Sequence, residues 1–152
     1  MATSSVAQRM SERTLMGDRP QMAYASLEEA FPEADPGVRP AGSRVLVQVR
    51  TPKKKSVGGI ILTDDTKDTE MWNSQVARVV ALGPVAFKNR DTLAPWPEGD
   101  WCAEGSYVRV PKYGGDKWIV QTEGEPAIFQ LIKDLDVLGV VTGDPMAVVA
   151  YI

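Results

Sequence analysis

The sequence of 152 residues contains no histidine. That one absence excludes Ser-His-Asp triads, Cys-His nucleophile pairs and histidine-ligated zinc, each of which needs an imidazole as base or ligand. Cysteine occurs once, at Cys102, so neither an internal disulfide nor a Cys-x-x-Cys site can form. A solitary cysteine of this kind reads as a small, partly buried apolar residue rather than a nucleophile. Acid–base chemistry on Asp, Glu or Lys survives these exclusions. No apolar run approaches the length that crosses a membrane. The N-terminus lacks the basic start and apolar stretch of a secretory signal. Ala2 stands where N-myristoylation needs glycine. A cytoplasmic protein with no membrane partner is expected. Positive charge is also in short supply: the net charge is −3, which discourages non-specific binding to nucleic acid.

What is present is an ordinary globular share of hydrophobic residues, 43%, and one stretch that contradicts itself. Lys53-Lys54-Lys55-Ser56-Val57-Gly58-Gly59-Ile60-Ile61-Leu62 runs into Thr63-Asp64-Asp65-Thr66-Lys67-Asp68-Thr69-Glu70. The flanks are polar and charged, as in a loop, while the centre holds three large aliphatics in succession. Gly58-Gly59 ahead of them gives the backbone unusual freedom. Long loops inside compact domains are usually functional or disordered. Two readings stand side by side. Ile60-Ile61-Leu62 is a short buried strand, or it is the apolar tip of an arm that orders on entering a partner's groove.

Around this stretch the chain reads as β structure. Residues 1–38 differ from the rest, being rich in Ser, Ala, Met, Glu and Arg. Ser26 and Glu29 fit a capping box for one helical turn that ends near Phe31-Pro32. Pro32, Pro36, Gly37 and Pro40 then mark a linker. A frayed tail and a partner-docking arm are the two readings of this extension. Arg44–Arg50 alternates, with Val45, Val47 and Val49 on one side and Arg44, Gln48 and Arg50 on the other, which predicts a half-buried strand. Gln75–Leu82 is a second strand, closed by Gly83-Pro84. The connection from Val85 to Glu104 carries Phe87, Trp96 and Trp101, which are expected to fold over a core edge. Gly105–Val110 is a strand, Pro111–Asp116 a hairpin-type turn, and Lys117–Val120 the return. Glu123–Pro126 turns again into a strand over Ala127–Ile132. Lys133–Asp136 is a turn or a single helical turn, and Val137–Val141 closes the domain. Residues 142–152 form a short C-terminal extension. Short strands separated by Gly/Pro turns indicate a small all-β barrel or sandwich.

The remaining motifs carry little chemistry. Gly114-Gly115 fits neither a phosphate loop nor a dinucleotide fingerprint and reads as a turn. Asp64, Asp65, Asp68 and Glu70 lack the central glycine of a calcium loop. No metal, cofactor or catalytic residue is expected.

In order, these pieces resemble the GroES-like co-chaperonin family. The matching runs are Arg39-Pro40, Arg44–Val47, Lys55–Leu62, Ala77–Gly83, Gly105–Val108, Lys112–Gly114 and Asp136–Leu138, and the specific part is the Ser-x-Gly-Gly-Ile-aliphatic-Leu arm. The resemblance implies a GroES-like β-barrel over 39–141, assembled as a homo-oligomer, a seven-membered ring. It implies that 53–71 is the mobile loop, with Gly58, Gly59, Ile60, Ile61 and Leu62 as the element that binds a GroEL-like chaperonin ring in its nucleotide-bound state. It places Tyr113 near the aromatic that faces the cavity where substrate proteins are enclosed. It puts the subunit interface near Val45 and Leu138, Val140 and Val141. The extra N-terminal residues, the Pro/Trp-rich segment 84–104 and the C-terminal extension depart from the family pattern, in the manner of bacteriophage-encoded members. The competing classes are an acidic β-barrel binding module, taking single-stranded nucleic acid on Trp72, Trp96, Trp101 and Trp118, and a structural virion protein.

Overall fold

The computed structural model describes residues 26–51, 76–111 and 114–148. The alternating valines of Arg44–Val49 form β1, and the rest of the sheet is built outwards from it. The other strands are β2 (Val76–Leu82), β3 (Tyr107–Arg109), β4 (Asp116–Val120), β5 (Ala127–Lys133) and β6 (Gly139–Val140). They form one antiparallel sheet in the order β4-β5-β1-β2-β3-β6. Helix is confined, among the described residues, to α1 (Leu27–Ala30) and a 3-10 turn at Asp134–Asp136. The fold is therefore the small all-β domain that the spacing of strands and turns predicts.

Register follows the apolar pattern. Val45 lies opposite Leu82 on one side and Ile132 on the other, and Val47 opposite Val79 and Gln130. The pairing of β1 with β2 slips between Leu46 and Val47, which leaves Val80 as an extra residue. Such a bulge sharpens the local twist. The sheet curls around a core made of Val45, Val47, Ala77, Val79, Val108, Val110 and Ile132, capped by Phe87 from the 85–104 connection. Each large aliphatic buried this way contributes roughly 1.5–3 kcal/mol.

Three expectations are corrected. First, β1 is not half-buried: every residue in it except Arg44 is buried. Residues 26–36 lie across its outer face, and the Gln48 amide is satisfied there. Its Nε2 donates to the Pro32 carbonyl at 2.5 Å, and its Oε1 accepts from Arg78 Nη2 at 2.8 Å. Leu46 joins Phe129 and Ala127 in a second cluster on this face, with Ala34, Trp118 and Leu131 packed against it. Second, 26–36 is not a frayed tail. Ser26 caps α1 as its sequence predicts, accepting from Glu29 N–H at 3.2 Å, and Ala30 and Phe31 are buried.

Third, Pro111–Asp116 does not close a hairpin. β3 and β4 lie on opposite sides of β1, so this connection crosses the sheet. It returns by pressing its backbone against β5. Gly115 has φ +68°, and a Cβ there would meet the Leu131 carbonyl oxygen at 1.9 Å, so only glycine fits. The Gln130 amide donates to the Gly114 carbonyl beside it.

Candidate functional site

The arm singled out by the sequence, 53–71, lies between Thr51 and Val76. The binding residues expected on it, Gly58, Gly59, Ile60, Ile61 and Leu62, lie outside the described residues, as does Tyr113. The two ends of the arm are described. They sit side by side on neighbouring strands: Arg50 N–H donates to the Val76 carbonyl at 2.9 Å. Thr51 N–H donates to the Ala30 carbonyl at 2.8 Å, and its hydroxyl donates to the Pro126 carbonyl at 3.3 Å. Arg50 is 3% exposed, and its Nη1 donates to the carbonyls of Pro145 and Val148 at 2.9 and 2.6 Å. Alternation alone assigned Arg50 to a solvated face; its burial depends on the C-terminal segment folding back over it.

Of the residues expected at a subunit interface, Val45 is fully buried in the core and has no side-chain surface to offer a neighbour. β1 is a central strand, paired on both edges and covered on both faces, whereas its sequence pattern indicates one open face. Val141 is half-buried against the Phe31 cluster. Leu138 and Val140 are 63% and 49% exposed, on and beside the outer strand β6. Leu135, also exposed, precedes them. These three form an apolar row in sequence that ends on the edge strand β6.

The connection over 85–104 is anchored rather than loose. Phe87 is fully buried with φ +59°, a conformation that costs a non-glycine residue on the order of 1–2 kcal/mol. Its N–H donates to Asp134 Oδ2 at 3.0 Å, and Leu135 N–H donates to Asp134 Oδ1 at 2.8 Å. Its ring packs edge-on to Trp96, with centroids 5.5 Å apart, and tilted against Trp101 at 5.9 Å. The aromatics fold over the core edge, as expected from the sequence.

Among the described residues, the tryptophans serve packing rather than a separate stacking platform for single-stranded nucleic acid. Trp96 and Trp101 belong to the core edge, while Trp118 stacks on Phe129 and donates its indole N–H to the Pro36 carbonyl at 3.0 Å. Trp72 lies outside the described residues. The open groove between the α1 segment and the β4–β5 turn, about 840 Å³, is lined by Glu28, Glu33, Asp35, Glu123 and Glu125, the wrong sign for a phosphate backbone.

Burial, and then the Asp100 carboxylate, push the Cys102 thiol up to about 11, which keeps it protonated and unreactive. Among the described residues no group of His, Cys, Asp and Glu is arranged to hold a metal ion, and no helix is long and apolar enough to cross a membrane.

Comparison with known proteins converges on one family. The model of the chaperonin 10 Kd subunit matches residues 37–141. The co-chaperonin GroES of Methylacidiphilum infernorum (isolate V4) is 32% identical over 109 residues, 72% of this chain and 98% of that protein. The co-chaperonin GroES of Tetragenococcus halophilus is 32% identical over 98 residues, 64% of this chain and 94% of its own. The chloroplastic 20 kDa chaperonin of Arabidopsis thaliana is 29% identical over 79 residues, 52% of this chain and 28% of that protein.

Proposed function

The chain belongs to the chaperonin 10 Kd subunit family, and on that premise we propose how it works as a co-chaperonin. It caps a GroEL-type chaperonin ring and helps enclose folding substrate proteins. Docking is by the arm, with Gly58 and Gly59 giving freedom and Ile60, Ile61 and Leu62 entering an apolar groove on the partner. The observation that carries this reading is the family match over 37–141 together with the position of the arm's ends. Arg50 and Val76 are hydrogen-bonded neighbours at one end of the central strands, so the segment between them begins and ends at one place on the sheet.

The energetics suit a releasable lid. Three aliphatics entering a groove contribute roughly 1.5–3 kcal/mol each. Ordering the arm costs about 1–2 kcal/mol per residue fixed. One arm alone therefore binds weakly. Several arms on one ring act through effective concentration, and the cap stays on until the partner changes shape. We infer a homo-oligomeric ring, heptameric by analogy with the family, with Leu138 and Val140 in the contact between subunits and Tyr113 directed to the enclosed cavity. The partner state is the nucleotide-bound ring, the setting is the cytoplasm (a host's, for a bacteriophage-type member), and the role needs no cofactor and no catalytic residue.

The decisive experiment is sedimentation of the purified protein alone, and with a GroEL-type ring plus nucleotide, paired with refolding of a chaperonin-dependent substrate. Co-sedimentation only with nucleotide, and refolding that depends on this protein, are expected. A protein that neither joins the ring nor supports refolding returns the acidic binding module and the virion component to first place.

A further inference from the structure

Two short segments outside the matched residues 37–141 meet over one corner of the sheet. From the N-terminal side Ala30 and Phe31 pack against Val76; from the C-terminal side Met146 and Val148 join the same cluster. The Phe31 ring is held between Tyr107, with centroids 5.3 Å apart, and the Arg78 guanidinium, 5.7 Å from the ring centroid. Carbonyl acceptors converge on the same corner. Ala30 receives the Thr51 N–H, and Pro145 and Val148 receive the Arg50 guanidinium.

The location gives this added layer its meaning. Thr51 precedes the arm at 53–71, and Val76, the first residue of β2, follows it. Both added segments thus place their buried side chains and their acceptors on the two ends of the arm. We propose that residues 26–36 and 142–148 form a clamp that fixes the direction in which the chain leaves β1 and re-enters β2, and that Phe31 and Arg50 are positioning residues for docking. The inference rests on the docking reading above. A root already ordered in the free protein is not ordered again at the expense of binding. Each backbone residue so spared is worth on the order of tenfold in affinity.

The test uses the full-length protein, a GroEL-type ring with nucleotide, and a synthetic peptide of residues 52–75 as competitor. The variants are Phe31→Ala and Arg50→Met, the latter keeping an apolar stem and removing the donors. The clamp predicts that both lose amide protection at Thr51, keep it at Val47 and Val79, sediment as the wild type does, and bind the ring on the order of tenfold more weakly. Wild-type affinity despite lost protection at Thr51 overturns the inference and leaves the corner as packing only. If Phe31→Ala unfolds the subunit, a truncation after Val141 decides by the same two readouts, since it removes the 142–148 half of the clamp and leaves 26–36 in place. Failure of both the wild-type protein and the peptide to bind the ring overturns the docking reading itself, a result distinct from equal binding by wild type and variants.

Discussion

Asp134 shows how much a single side chain can hold in place. Its carboxylate accepts from Phe87 N–H and Leu135 N–H, both at the edge of the core. Asp134→Ala strands a buried donor under a left-handed backbone turn and is expected to lower stability by about 1–3 kcal/mol. Asp134→Asn keeps an acceptor and should lose less; urea unfolding that finds the two variants equal would reject the account. Cys102 offers a pH signature. Its folded-state value is raised from 9.0 to about 11, so the thiol is neutral in folded and unfolded chains alike below pH 9. Above that the unfolded chain loses its proton first. The contribution to stability is fully present below pH 9 and is lost as pH rises through about 11. Urea midpoints measured between pH 8 and 11 should fall more steeply in the wild type than in Cys102→Ala. Ile61 and Val47 separate docking from folding. Val47→Asp puts a carboxylate in the core between β2 and β5 and should unfold the subunit. Ile61→Asp should leave folding intact and abolish chaperonin-assisted refolding, because the charge must then be desolvated in the partner's groove. Circular dichroism and the refolding yield would read the two apart, and identical behaviour of the two variants would sink the assignment.

Among the elements, the N-terminal segment departs furthest from what its composition suggests. Removing residues 1–38 uncovers Gln48, Leu46 and Phe129 and deletes Phe31 from its cluster. Loss of that ring alone is worth about 3–5 kcal/mol, so the truncated protein should show a much lower thermal midpoint, or no cooperative transition, by calorimetry. A truncation that melts like the wild type would mean that the segment only rests on the sheet. The N-cap at Ser26, the existence of β1 as a strand, the run over Val76–Leu82 and the aromatic cover from 85–104 were all legible, because each is written in residues close together in sequence. Three things were not. The burial of Gln48 and Arg50 depends on the distant Pro32, Pro145 and Val148, and a polar residue in an alternating strand carries no sign of what will later lie over it. The crossing between β3 and β4 was hidden because Pro111 and Gly114-Gly115 serve a hairpin and a crossover equally well. Gly115 meets Leu131 only in the folded state. The arm's sequence signature was clear, and its chemistry at Ile60, Ile61 and Leu62 stands on that signature.

For the whole molecule, the exposed apolar row at Leu135, Leu138 and Val140 is where contact with a neighbouring copy is expected. Leu138→Asp and Val140→Asp change residues that are well exposed in the subunit, so folding should survive. If the row lies in the ring contact, these variants sediment as monomers or small assemblies and lose the avidity that several arms provide. An intact ring in both would move the contact elsewhere. The position of β1 has one more consequence, in the order of events during synthesis. β1 sits between β2 and β5, and Leu46 is sealed by Phe129 and Leu131 from β5. A ribosome delivers β1 well before β5. Until then one edge of β1 has no strand to pair with, and α1, which emerges before β1, has no finished surface to cover. Pairings this far apart in sequence fold slowly, in milliseconds to seconds for small β domains, and exposed strand edges invite aggregation meanwhile. The nascent chain therefore passes through the same hazard from which a co-chaperonin shields other proteins.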